Sequence, residues 1–222
     1  MQTKGKIAAS ILCADLNHLS DVIAILNQTG MDLIHFDVMD GQFVPGFGLS
    51  EKHLSAIRPL TRIPIEVHLM TIHPEMHIDA FADAGADIIS VHVETCPHLH
   101  RTLQKIKVKQ ISAGVVLNPA TPVESIRHVL PQVDIVTLMA IDPGLLGADF
   151  LPMAFKKIGE LTELFKKEKL TKTPEIQIDG SLDKSLSDKV FQAGADIAVH
   201  GIKSFFQAKT DLKQEILDVL RD

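Results

Sequence analysis

The sequence predicts an α/β fold, a (β/α)8 TIM barrel formed as one domain over residues 1–222, on three observations. Eight short apolar runs rich in Val and Ile alternate with stretches whose apolar residues recur at helical spacing. Parallel strands buried on both faces and joined by helices read this way. A repeat, seen at Gly30-Met31-Asp32-Leu33, Gly85-Ala86-Asp87-Ile88 and Gly194-Ala195-Asp196-Ile197, closes a helical stretch and opens a strand each time. Glycine suits that position because it takes up the left-handed backbone that ends helices without a Cβ clash. Third, 222 residues hold one such barrel, which needs roughly 200 or more, and no linker or low-complexity segment divides the chain. An open doubly wound sheet is the competing arrangement. No Gly-x-Gly-x-x-Gly follows the first run, where its dinucleotide fingerprint belongs.

The strand runs, in order, are Ile7–Leu12, Asp32–Met39, Ile63–Met70, Ile88–Glu94, Ile111–Asn118, Ile135–Ile141, Glu175–Asp179 and Ile197–Ile202. Helical stripes lie between them. Leu16, Leu19, Val22, Ile23 and Leu26 form one; Phe155, Ile158, Leu161, Leu164 and Phe165 form another; Leu212, Ile216, Val219 and Leu220 close the chain. The segments after the second and fifth runs are expected to be shorter helices. Met1 to Lys6 are polar and lead straight into a strand, unlike a secretory leader, and no run of about 18 apolar residues marks a membrane span. Cys13 and Cys96 make no disulfide framework, so reduced thiols and a cytoplasmic setting are expected. A net charge of −6 with scattered lysines, and the absence of Trp and Tyr, argue against nucleic acid as a partner.

Polar residues inside buried strands need a reason, and in barrels the upper, C-terminal strand ends carry the chemistry. His35 and Asp37 lie two apart on the second run and so share a face; His68 lies near the end of the third, and Asp179 ends the seventh. One such histidine reads as a hydrogen-bonded core residue. Four polar groups at matching depth read as a site for one divalent metal, with zinc leading on affinity over Fe, Mn and Co. Met39, Met70 and Met139 sit beside these groups as core filling or as a soft cap over a planar intermediate. Gly180-Ser181 and Gly201 follow the late strands, where barrels bind phosphate through backbone N–H groups; Gly144 and Gly147 suggest a flexible loop over the sixth. Cys13 reads as structural or pocket lining, and His92 with Glu94 as a satisfied pair or as support behind the ligands.

At this point the chain resembles the ribulose-phosphate 3-epimerase family. His35-Phe36-Asp37-Val38-Met39-Asp40-Gly41 with Phe43-Val44-Pro45, Val67-His68-Leu69-Met70, Asn118-Pro119-Ala120-Thr121-Pro122 and Asp179-Gly180 match its motifs, and Ser10-Ile11-Leu12 and His98-Leu99-His100 also fit. The resemblance covers about residue 7 to residue 206. It implies that His35, Asp37, His68 and Asp179 hold the metal, and that Asp37 and Asp179 are the acid/base pair inverting C3 of a ketose phosphate through a metal-stabilised enediolate. It implies further that Ser10 and His68 touch substrate, that Met39, Met70 and Met139 cap it, and that Gly144, Leu145, Leu146, Gly147, Gly180, Ser181, Gly201 and Ile202 form its phosphate side. A homo-oligomer is expected from the family.

The sequence departs from the family at Asp142-Pro143-Gly144-Leu145-Leu146-Gly147-Ala148, at Pro45-Gly46, at Gly180-Ser181 and at His200-Gly201-Ile202. All four lie on the phosphate and distal-substrate side. D-ribulose 5-phosphate is therefore the expected sugar, with D-allulose 6-phosphate as the alternative, because a related group resembles the Gly-Ser form. A decarboxylase of the orotidine-phosphate type needs a lysine between the second-strand aspartates, and Asp37-Val38-Met39-Asp40 lacks it. A non-catalytic sugar-phosphate binder has no use for the acid/base pair.

Overall fold

The eight runs become eight parallel strands that close in chain order into a barrel, with β1 pairing both β2 and β8. The computed structural model describes residues 5–207 and 211–220; residues 1–4 of the polar N-terminal stretch lie outside them. The strands are β1 (Lys6–Ser10), β2 (Leu33–Met39), β3 (Ile65–Met70), β4 (Ile88–His92), β5 (Ser112–Leu117), β6 (Ile135–Met139), β7 (Glu175–Asp179) and β8 (Ile197–His200). The α-helices are α1 (Leu19–Thr29), α2 (Glu51–Ile57), α3 (Ile78–Asp83), α4 (Leu99–Val108), α5 (Met153–Glu168), α6 (Lys184–Ala193) and α7 (Leu212–Leu220). No helix among the described residues is long and apolar enough to cross a membrane.

Several strands stop short of the expected ends. Ile11–Cys13 and Val93–Thr95 are 3-10 turns, and Gly201-Ile202 lies beyond β8, because the chain bends over the barrel mouth there and leaves the ladder. After β5 the expected helix is a 3-10 helix, Val123–Gln132. Pro131 lies inside it, has no N–H to give and would clash with the carbonyl four residues back, so an α-helical ladder cannot be completed there. Val123, Ile126 and Leu130 still face the core.

Alternation along each strand sorts the barrel into an outer and an inner face. Outward residues such as Ile34, Phe36, Val67 and Leu69 pack against Ile23, Leu26, Leu54, Ile158 and Leu161 of the helices in one large core. Inward residues Ala8, Leu33, Ile88, Ile135, Ile197 and Val199 form a separate apolar plug inside the barrel. Above the lowest of these the inner face turns polar, with His35, Glu66, Ser90, Thr137 and Gln177 fully buried.

Gly30, Gly85 and Gly194 all have left-handed backbone, with φ of 77°, 103° and 110°, as the repeat requires. The aspartate of the repeat has its own task. Asp32, Asp87 and Asp196 accept the N–H of Ile7, Ile65 and Ile176 at 2.9, 2.8 and 2.8 Å. Asp134 does the same for Ala113 at 2.9 Å without a preceding glycine. Every second strand thus stitches its neighbour at the lower rim, pairing β1 with β2, β3 with β4, β5 with β6 and β7 with β8.

Candidate active site and metal centre

Ladder register brings the polar residues of β2 and β3 level: His35 pairs with Glu66 and Asp37 with His68. Asp179 reaches the same place from β7, three strand steps from β2 around the closed ring through β8 and β1. His35 Nε2 stands 3.1 Å from Asp37 Oδ1 and 3.6 Å from Asp179 Oδ2. His68 Nδ1 stands 3.1 Å from Asp37 Oδ1, 3.7 Å from Asp179 Oδ2 and 3.2 Å from His35 Nε2. One ligand atom from each of the four lies within 4.8 Å of all the others.

The arrangement fits a divalent ion. Nitrogen and oxygen ligands about 2.1 Å from a common ion stand roughly 3.0–3.4 Å apart in octahedral or tetrahedral geometry, close to these spacings. Two ring nitrogens turned toward each other also need a cation or a proton between them, since their lone pairs otherwise repel. Burial alone would lower the His35 pKa, but the charges of Asp37 and Glu66 outweigh it and hold the imidazole well above the usual histidine range. Burial likewise pushes the Asp37 carboxyl up, and His35 with His68 overrides it to bring Asp37 far below the usual carboxylate range. The acid-rich pocket asks for positive charge, which a divalent cation supplies.

Support behind the clustered rings comes from residues that sequence reasoning missed. Glu66 is completely buried and faces His35 Nδ1 at 3.0 Å, accepting also from Ser90 Oγ at 2.6 Å and Gln177 Nε2 at 2.8 Å. Burial pushes Glu66 up, but the His35 charge and these donors keep it lowered and ionised. With the Glu66 carboxylate on Nδ1–H, Nε2 is the nitrogen aimed at the cluster, and a cation bound there would take the place of its proton. Gly114 makes room for this: a Cβ there would lie 1.9 Å from the Ser90 hydroxyl. The available signal was spacing, because Glu66 and Gln177 sit two residues before His68 and Asp179 on the same strands.

His68 is held in the same way through a longer chain. Its Nε2 meets His92 Nε2 at 2.9 Å, and His92 Nδ1 faces Glu94 Oε2 at 3.3 Å. Burial lowers His92 to about 4, so it is neutral at physiological pH and relays one hydrogen bond. Burial raises Glu94, but bonds from His92, Thr121 and the Asn118 N–H bring it to about 2. The His92–Glu94 pair is thus both satisfied and in contact with the His68 ring.

Ser10 donates to Asp37 Oδ2 at 2.6 Å, so Asp37 gives one oxygen to the imidazoles and the other to the hydroxyl. The segment after β2 folds back on the strand, with Leu49 N–H on Asp37 O at 2.9 Å and Gly48 N–H on Met39 O at 3.1 Å. Asp40 shapes that turn by accepting from the N–H groups of Gln42, Phe43 and Ile72 at 2.8–2.9 Å.

Above the cluster opens a cavity lined by Ser10, Asp37, Asp179, the three methionines, Gly144–Gly147, Gly180-Ser181 and Gly201-Ile202. Met39 packs with Val44 and Met70 on one side, and Met139 with Val116 and Ile141 on the other. His35 and His68 have no exposed surface and lie beneath the lining. His68, expected to touch substrate, lies beneath the lining with its ring tilted against His35 and stacked on His92. Ser181, in left-handed backbone at φ 52°, donates its hydroxyl to Ala148 O and so ties down the loop after β6. Gly144 of that loop lies against the segment after β2, where a Cβ would come within 2.7 Å of Val44. Cys13 lines the cavity with its thiol pushed up to about 11 by burial and by the Asp37 charge, which leaves it unreactive.

Known proteins agree with this geometry. Residues 6–205 match the ribulose-phosphate 3 epimerase family. A ribulose-phosphate 3-epimerase of Bacillus subtilis (strain 168) is 44% identical over 214 residues, covering 96% of this chain and 97% of the relative. The chloroplastic ribulose-5-phosphate-3-epimerase of Arabidopsis thaliana is 39% identical, covering 93% of this chain and 75% of the relative, so relatives occupy more than one compartment. Among solved structures, KGPDC from Streptococcus mutans shares the fold, with a TM-score of 0.66 at 11% identity over 98% of this chain and 97% of that one. Fold, strand-end motifs and relatives point one way, and the chain belongs to the ribulose-phosphate 3-epimerase family, isomerases that act on carbohydrates.

Proposed function

We propose that this chain is a metal-dependent ketose-phosphate 3-epimerase that interconverts D-ribulose 5-phosphate and D-xylulose 5-phosphate, with Asp37 and Asp179 as its acid/base pair. One observation carries the reading: carboxylates from β2 and β7 converge on the same two ring nitrogens from different sides of the barrel. Inversion at a carbon beside a ketone needs a base on one face and an acid on the other. Asp37 takes the C3 proton in the forward direction, and Asp179 returns a proton to the opposite face. One carboxyl is therefore ionised while its partner is protonated, a difference that coupling between them sustains. Ser10, on Asp37 Oδ2, fixes the oxygen that receives the proton. The methionines offer no proton and exclude water from the planar enediolate.

His35, Asp37, His68 and Asp179 would hold the metal, with Glu66 and His92 orienting the two rings. A divalent ion held there would supply Lewis acidity to the bound ketose. Zinc is favoured by affinity, and Fe, Mn and Co suit the same ligands. The glycine-rich loops after β6, β7 and β8 receive the phosphate end. Free thiols at Cys13 and Cys96 suit a cytoplasmic enzyme, a single domain over residues 1–222 rests on length and the unbroken strand-helix pattern, and a homo-oligomer rests on the family's habit. D-allulose 6-phosphate is the second reading, favoured by Ser181, whose bond to Ala148 remakes the wall facing the distal end of the sugar.

The test is hydrogen exchange at C3. Metal-loaded protein is incubated in D2O with each ketose phosphate, and C3 deuteration and epimer formation are followed by NMR. Exchange with inversion for one sugar supports the chemistry and selects the substrate. Tight binding with no exchange for either sugar would mark a binder that has lost catalysis.

A further inference from the structure

Among the described residues, Lys203 is the one lysine or arginine that lines the cavity. It rises from a firmly built turn after β8. Gly201 O accepts from the N–H groups of Ser204, Phe205 and Phe206 at 3.2, 3.0 and 3.3 Å. The buried Ser204 hydroxyl pairs with His200 Nδ1 at 2.9 Å, and His200 Nε2 meets Ser187 of α6 at 2.8 Å. His200 also stacks on Phe205 at 4.8 Å. The turn is thus pinned to the barrel on both sides of Lys203, which fixes where its side chain starts and leaves its ammonium free to move.

That ammonium stands 3.6 Å from Asp149 at the end of the loop after β6. Asp149 is fully exposed and Lys203 is 42% exposed, so the pair is solvated, screened and loosely held. Asp37 and Asp179, on the cavity's other polar wall, repel any anion. A phosphate monoester carries a charge of about −1.5 to −2 at neutral pH and three acceptor oxygens. On this cavity it finds backbone at Gly144, Gly147, Gly180 and Gly201, and a single mobile cation beside them.

We propose that Lys203 determines the preference for a phosphorylated substrate, releasing Asp149 to pair with the phosphate. The proposal rests on the ketose-phosphate reading of the same cavity. Lys203→Met keeps the aliphatic stem and removes the charge. In the metal-loaded enzyme it is expected to raise KM for the turned-over ketose phosphate about ten- to thirtyfold, the loss of one charge-assisted hydrogen bond, with kcat changed less than about twofold. Calorimetry with inorganic phosphate should weaken in parallel, Lys203→Arg should retain binding, and the unphosphorylated ketose should be processed equally by parent and variant. Asp149→Asn should leave KM unchanged or lower it. A Lys203→Met enzyme with parental KM and parental phosphate affinity would overturn the proposal. So would an Asp149→Asn enzyme as impaired as Lys203→Met, because the pair would then serve only to hold the loop. If no ketose phosphate is turned over, the functional reading fails by itself, and phosphate calorimetry on the same two variants still decides the role of Lys203.

Discussion

At the lower rim of the barrel, Asp32, Asp87, Asp134 and Asp196 each stand just before a strand and accept an N–H from the first two residues of a neighbouring strand at 2.8–2.9 Å. At the upper rim, Asp37 and Asp179 stand on the strands and turn their oxygens to ring nitrogens at 3.1–3.7 Å. The residue type and the barrel are the same. What differs is the donor each carboxylate faces. A backbone N–H at a strand start has no other partner, so the lower carboxylate satisfies it and is thereafter committed. Asp134 shows the consequence: burial pushes it up, but Lys107, Lys172 and the Ala113 N–H hold it lowered and charged. The upper carboxylates face groups that themselves gain and lose protons or bind cations, which leaves them able to act. Strand ends at the two faces of such barrels divide between stability and chemistry on this basis.

The strongest way to break the comparison is to exchange carboxylate for amide at both rims. Asp37→Asn or Asp179→Asn should lower kcat about a thousandfold, within the usual range for removing a positioned acid or base, while the variant stays folded. Activity within tenfold of the parent would remove that residue from the acid/base pair. Asp196→Asn, by contrast, should keep kcat within about twofold, because it touches nothing above the apolar plug of the barrel. A large loss of turnover in a stably folded Asp196→Asn protein would abolish the distinction between the rims.

Glu66 sharpens it from the inside. It lies level with His35, one layer below Asp37 and His68, and does not line the cavity, so its effect must pass through His35. Glu66→Gln is expected to weaken metal binding about ten- to a hundredfold, the usual cost of losing a carboxylate behind a ligating imidazole. Competition with a chelator measures this without reference to turnover. Unchanged affinity would mean that Gln177, which also meets His35 Nδ1, holds the ring without Glu66.

The strands and the cluster of His35, Asp37, His68 and Asp179 were legible because each obeys a local rule. Parallel strands buried on both faces read as continuous apolar runs, and polar residues two apart at their upper ends stand out against them. Glu66 and Gln177 obey the same spacing but belong to the middle of the strand. Only closure of the ring brings β7 beside the pair and gives Glu66 its third donor. The repeat ending in Asp32, Asp87 and Asp196 was legible for its glycine, whereas the work of its aspartate lies on another strand. Asp134 escaped altogether because no glycine precedes it. The helix after β5 carried apolar residues at Val123, Ile126 and Leu130, a spacing that suits α and 3-10 turns alike, and the position of Pro131 decided between them.

Smaller effects follow at the lower rim itself. Replacing Asp87 by Ala leaves the Ile65 N–H without its acceptor and also removes the partner of Arg58. A cost of about 1 kcal/mol is expected, a fall in Tm of roughly 2–4 °C for a chain of this size. Thermal unfolding of the metal-loaded protein reads it directly. A Tm equal to the parent's would show that water replaces the carboxylate at no cost and that the stitching is incidental.

His200 tests whether height on the barrel alone assigns a residue to chemistry. It ends β8 at the upper rim, yet it faces outward to Ser187 of α6 and not into the cavity. Burial lowers its pKa to about 4, against an ordinary value of 6.5. As pH falls below 6.5 the unfolded chain takes the proton first, so the stability from a neutral His200 is fully present above 6.5 and lost toward 4. Between pH 7 and pH 6 that loss is about 0.7 kcal/mol, and His200→Asn should flatten the stability curve by that amount over the same interval. The pH dependence of kcat should be the same in parent and variant. Parallel stability curves would mean that His200 is solvated enough to titrate normally in the fold. A shifted kcat profile would mean that an outward-facing residue at the upper rim can reach the reaction, and the rule separating the two sets of aspartates would then have to be height alone, not height and facing together.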